Sequence, residues 1–175
     1  MGLDRQNRYN RARAVNYAKT FALSPNPGFK YFQIYETLGG DCTNFISQCL
    51  LAGGAPMTYT TEYAWWYNKS GTYDTNDDRW SVPWAVAHSL YWTLKVNNNS
   101  NIDAAKGLEV GSAAMLELGD LIFFEDDNGV IFHSTIVTGY SPIDTLISQH
   151  TYEALNIPYI RSWEAKRYHY LKIRV

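Results

Sequence analysis

The chain has 175 residues, of which 46% are apolar, 15% aromatic and 18% charged, with a formal net charge of −2. That length supports one domain with a real core, and that balance excludes a disordered segment. Lys and Arg are scattered without a basic excess, which argues against nucleic acid, and no apolar run reaches the ~20 residues of a membrane helix.

The opening "MGLDRQNRYN" is polar and lacks the apolar stretch of a signal peptide, which fits a domain taken from a longer secreted protein. Residues 7–23 carry Ala12, Val15, Ala18, Lys19 and Ala22 at helical spacing, and Asn7 is placed to cap an amphipathic first helix. "SPNPG" at 24–28 ends it, because proline cannot continue a helix. An aromatic stretch then leads to Gly39-Gly40. Asp41 offers an N-cap, and residues 42–52 continue as a helix with Phe45, Ile46, Cys49 and Leu50 as its apolar stripe. Gly53 and Gly54 close it.

Residues 55–80 are turn-rich and aromatic, an ordered surface excursion. Residues 82–95 predict a further helix with Pro83 near its start, followed by the loop "VNNNSN". From there the period changes. Residues 119–125 predict a strand after a Gly-Asp turn, and "DDNG" has hairpin composition. Residues 130–140 and 145–151 predict paired strands around "SPID", and the C-terminus ends in a loop and a last strand. Helices followed by an antiparallel sheet predict an α+β fold, with residues 1–175 as a single domain.

Both cysteines fall within "GGDCTNFISQCL". On one helix their Cα atoms stand roughly 10 Å apart, beyond the ~7 Å limit of a disulfide. No Cys-x-x-Cys pair suggests zinc. Two alternatives remain: two buried thiols, or one buried thiol and one nucleophile. Cys42 lies in the first turn of its helix, where the dipole and free N–H groups favour a thiolate, and its own N–H is a natural oxyanion donor. Cys49 lies on the apolar stripe and belongs to the core.

A nucleophilic cysteine needs a histidine and a group that orients it. If "YSPI" is the hairpin loop, Gly139 pairs with Asp144 and His133 falls directly opposite His150, within reach on one face. A slip of one residue separates them. Gln149 rivals His150 for the third position, but alternation turns it away if His150 shares the face of His133. Two satisfied sheet histidines are the alternative to a catalytic pair.

These motifs resemble the bacterial putative amidase domain family, which belongs with papain-like cysteine hydrolases of the NlpC type and the CHAP amidases. The likeness rests on "GGDCTNFISQCLLAGG", Gly119-Asp120-Leu121, His133 in "HSTIVTGY" and His150 in "LISQHT", and it spans almost the whole chain. It implies a papain-like, NlpC-like α+β fold, with N-terminal helices and the catalytic cysteine at a helix N-terminus packed on a C-terminal antiparallel sheet. It implies Cys42 as nucleophile, His133 as general base and His150 as orienting residue, with no metal or cofactor. The substrate is then a peptide or peptidoglycan amide, in a secreted or cell-wall-associated protein. Thr43-Asn44 departs from the Ser-Gly of the NlpC pattern. Asp41 either binds a substrate amine, with Thr43 supplying a hydroxyl, or only caps the helix. Trp65 and Trp66, with Trp80 and Trp84, either line the substrate groove or pack the core. The same scaffold also serves acyl transfer to an amine, as in a transglutaminase, or non-catalytic binding to cell wall.

Overall fold

The computed structural model describes residues 7–36, 38–60 and 62–175, so the expectation for the polar opening lies in part outside the described residues. Asn10, rather than Asn7, starts the first helix: its side chain accepts from the Arg13 backbone N–H. Helix α1 runs Arg11–Phe21 and buries Ala14, Val15 and Ala18. Two short strands, β1 (Ile34–Tyr35) and β2 (Leu38–Gly39), then pair and lead into α2, Cys42–Ala52, the span the sequence predicts. Every residue of α2 from Cys42 to Leu50 is buried, so it is a central helix and not merely amphipathic. Gly40 has φ +118, and a Cβ there would stand 2.8 Å from Thr151 Oγ1. Only glycine fits that approach.

The excursion forms a second small pair, β3 (Tyr67–Asn68) and β4 (Arg79–Trp80). The expected helix at 82–95 is two helices, α3 (Val82–Ala85) and α4 (Ala87–Asn98), divided at Val86, whose φ of −119 and ψ of 120 are extended. The helical turn continues through the first asparagines of the expected loop.

The main sheet has six antiparallel strands in the order β5-β10-β6-β7-β8-β9. They are β5 (Lys106–Val110), β6 (Leu121–Glu125), β7 (Ile131–Tyr140), β8 (Thr145–Gln149), β9 (Ala154–Pro158) and β10 (Arg167–Arg174). Edge strands β5 and β9 are additions to the expected set. The fold is α+β. One face of the sheet packs on the helices through Phe45, Ile46, Leu50, Leu90, Leu121, Phe123 and Ile136. The other face buries Ile122, Phe124, Val137 and Ile147 beneath Tyr159, Trp163 and Tyr168.

The Gly-Asp-Leu motif anchors the two ends of the chain. Asp120 is fully buried and accepts from Arg11 at 2.6 Å, from Ile173 N–H at 2.8 Å and from Glu117 N–H at 2.8 Å. It ties α1 to β10, a structural use of a buried charge that is tolerated because it is fully paired.

The register of the β7–β8 hairpin differs from expectation. The loop is Ser141–Asp144, closed by Ser141 N–H on Asp144 O, and Tyr140 pairs with Thr145. A bulge between Val137 and Gly139 then shifts the ladder, so that Ile136 pairs with Ser148. Thr138 is the extra residue, held by Ser148 Oγ at 2.7 Å and Asn156 Oδ1 at 2.8 Å. The combined shift places Gln149, not His150, on the face of His133.

Candidate active site

Cys42 occupies the first position of α2, and Phe45 N–H on Asp41 O is the first intrahelical bond. The N–H groups of Cys42 and its neighbours therefore have no intrahelical partner and point out of the helix start. Thr43 Oγ1 lies 3.6 Å from the Cys42 sulfur and 3.1 Å from Ser134 Oγ, which pins the helix start to β7. Burial pushes the Cys42 thiol up. The charge of the adjacent His133 imidazole, with hydrogen bonds from His133, Thr43 and the Ser134 backbone, outweighs it and brings the thiol down to about 7. Cys49, two turns further in, is fully buried without such neighbours, and burial raises its thiol well above the ordinary value. The two cysteines of one helix thus differ in the property that makes a thiol reactive.

His133 Nε2 donates to Gln149 Oε1 at 3.0 Å. The same oxygen accepts from Ser162 Oγ at 2.5 Å, while Gln149 Nε2 donates to Tyr152 O at 2.9 Å. These three bonds fix the amide's orientation. They also fix the imidazole tautomer, leaving Nδ1 as the nitrogen free to exchange a proton with the sulfur. The ring is 2% exposed and Cys42 is 8% exposed, so the pair is screened from bulk water. Thr151 Oγ1 accepts from Asp41 N–H at 2.8 Å and brings the end of β8 against the start of α2.

His150 does not meet His133. It turns to the helical face, stacks on Phe45 with centroids 4.1 Å apart, and places Nδ1 on Asp41 Oδ2 and Nε2 on Phe21 O at 2.8 Å. Both of its ring nitrogens face acceptors. Asp41 is 1% exposed, and its other oxygen accepts from Phe32 N–H and Asn44 Nδ2 at 2.9 and 2.8 Å. With both oxygens engaged it neither caps α2 through its side chain nor offers a surface to a substrate amine. Thr43 is fully buried and likewise closed to substrate.

Of the two alternatives for the tryptophans, Trp65 and Trp84 take the core one. Trp65 is 2% exposed, donates Nε1 to Ser47 Oγ at 2.9 Å and stacks on Trp84 at 5.1 Å. Trp84 Nε1 donates to Asn44 Oδ1 at 2.7 Å, which explains a polar residue two positions after the cysteine. Through Trp65 the excursion packs on α2. Trp66 is half-buried, stacks on Tyr59 at 5.9 Å and is held by Ser81. Among the described residues, the aromatic partners of His133 are Phe124 at 5.2 Å, Trp163 at 6.0 Å and Phe132 at 6.4 Å.

Gln149 is the residue that register reasoning set aside. Gly139 inside a β-branched strand was the available signal, since an interior glycine marks a bulge. The profile of the putative amidase domain matches residues 8–173. The chain is 37% identical over 153 residues to the uncharacterized protein YhbB of Bacillus subtilis, covering 83% of this chain and 42% of that protein. It is 29% identical over 163 residues to the uncharacterized protein YjcM of the same organism, covering 91% of this chain and 36% of that protein. The chain therefore spans about two fifths of the length of these relatives. No solved structure matches it.

Proposed function

The chain belongs to the putative amidase domain family, and from that premise we propose that it is a cysteine-dependent amide hydrolase built on a papain-like, NlpC-like arrangement. Cys42 is the nucleophile, His133 the general base and acid, and Gln149 the orienting residue. The observation that carries this reading is the placement of Cys42 at the open start of α2 beside His133, whose ring Gln149 holds, an arrangement that brings the thiol down to about 7 against its burial. A thiol with that value is about half ionised at neutral pH.

His133 Nδ1 takes the thiol proton, and the sulfur attacks the amide carbon. The carbonyl electron pair moves onto oxygen, and the free N–H of Cys42 at the start of α2 is placed to receive it, where the helix dipole also favours negative charge. As the intermediate collapses, the C–N bond breaks and His133 returns the proton to the leaving amine. Water then gives a proton to His133 and attacks the thioester carbon; the C–S bond breaks, the acid leaves, and His133 returns the proton to the sulfur. Gln149 holds the ring while its charge changes. The substrate is a peptide or peptidoglycan amide, and the setting secreted or cell-wall-associated, as the resemblance implies.

The test is site-resolved alkylation by iodoacetamide at pH 7. Cys42 is expected to label well ahead of Cys49 in the folded protein. Equal and slow labelling of both would remove the nucleophile and leave a binding module as the better reading.

A further inference from the structure

Beside the catalytic pair lies an aromatic surface that the hydrolysis itself does not use. Tyr152, 67% exposed, stacks on Trp163 with centroids 5.3 Å apart and planes 20° apart. Trp163 in turn lies 6.0 Å from His133 and is anchored by Nε1 on Thr151 O at 2.7 Å. The two rings are not loosely attached. Gln149, which holds His133, also donates to Tyr152 O, and Ser162, next to Trp163, donates to Gln149 Oε1. Thr151, which precedes Tyr152, accepts from the backbone N–H beside the nucleophile. One amide side chain thus sets the platform and the imidazole in a fixed relation.

Tyr152 leaves most of a large aromatic ring open to a ligand, at the end of the contacts that hold His133. We propose that the Tyr152–Trp163 platform is a specificity-determining subsite that receives a pyranose ring on one side of the scissile amide. This rests on the hydrolase reading above. The platform is open and flat, with one face to offer. It suits a ring with a C–H face on one side and hydroxyls at its edge, which stay in water. A wholly apolar aromatic side chain would instead demand an enclosing pocket.

The test uses saturation-transfer NMR with the methyl glycoside of N-acetylglucosamine, and separately with N-acetylphenylalanine amide, on wild type, Tyr152→Ala and Tyr152→Phe. The glycoside is expected to bind through its ring C–H face, at least about fivefold more weakly to Tyr152→Ala and nearly unchanged to Tyr152→Phe. In parallel, N-iodoacetylglucosamine is compared with iodoacetamide at Cys42, each normalised to its rate with glutathione. The sugar reagent is expected to be favoured on wild type, and that ratio to fall to about one on Tyr152→Ala. Glycoside binding that is absent, or indifferent to Tyr152→Ala, overturns the proposal. So does tighter Tyr152-dependent binding of the phenylalanine amide. Slow iodoacetamide labelling of Cys42 refutes the nucleophile alone, and the NMR comparison still decides the platform.

Discussion

Replacing His133 with alanine isolates the group that lowers the Cys42 thiol. In the wild type the thiol sits at about 7, and the upward push of burial is outweighed chiefly by His133. Without the imidazole, burial remains and the thiol moves to roughly 9 or above, past the ~8.5 of a free cysteine. At pH 7 the thiolate fraction then falls from about one half to about one in a hundred, a loss of about 50-fold. The more basic thiolate is intrinsically the better nucleophile, and a Brønsted slope of ~0.45 over two pKa units returns about 8-fold. The net fall in alkylation rate at pH 7 is therefore only about 6-fold. The rate at one pH is a poor readout. The midpoint of the pH–rate curve is the decisive one, and it should move from about 7 to above roughly 8.5. The assay is iodoacetamide labelling from pH 5 to 10, read by mass spectrometry at Cys42. A wild-type midpoint at or above that of a free thiol, or one unmoved by His133→Ala, would refute the reasoning.

Gln149→Ala removes the partner of His133 Nε2 and of Tyr152 O together. Amide turnover is expected to fall by one to two orders of magnitude, and a buried unpaired group costs about 1–3 kcal/mol of stability by urea denaturation. Asp41→Ala leaves His150 Nδ1 and the Phe32 N–H without their buried partner and is expected to cost about 1–3 kcal/mol, whereas a substrate-binding role would weaken KM and leave the urea midpoint alone. His169 places Nδ1 on Glu109 and Nε2 on Glu125, joining β5, β10 and β6. Burial raises Glu109, but hydrogen bonds from Lys95, His169 and Tyr91 outweigh it and hold the carboxyl below its ordinary value. A depressed carboxyl contributes stability above its unfolded value of ~4.3 and loses it as pH falls through the folded one. Glu109→Gln should therefore flatten the loss of stability between about pH 5 and 3, and an unchanged profile would discount this cluster.

Much of the site was legible along the chain because it is local. The glycine pair, Asp41 and the apolar run to Leu50 specify a helix that begins at Cys42, and one helix places Cys42 at its open end and Cys49 in the core. The β-branched run around His133 likewise specifies its strand. What escaped is non-local. Which neighbour reaches His133 depends on pairing between two strands, where one residue of slip exchanges the faces. The loop turned out to be Ser141–Asp144 and Thr138 bulged out, so Gln149 faced His133 and His150 turned back onto Phe45 and Asp41. The excursion's tryptophans show the same division. Their polar partners, Ser47 and Asn44, lie on α2 and are far from them in sequence. The sequence alone determined the residue types of the proposed pair, Cys42 and His133, and the elements that bear them. Only the tertiary structure decided the partner of His133, the sealing of Asp41 and the aromatic surface that meets His133 through Trp163. Each of these is a contact across elements, chosen by register and packing instead of by local propensity.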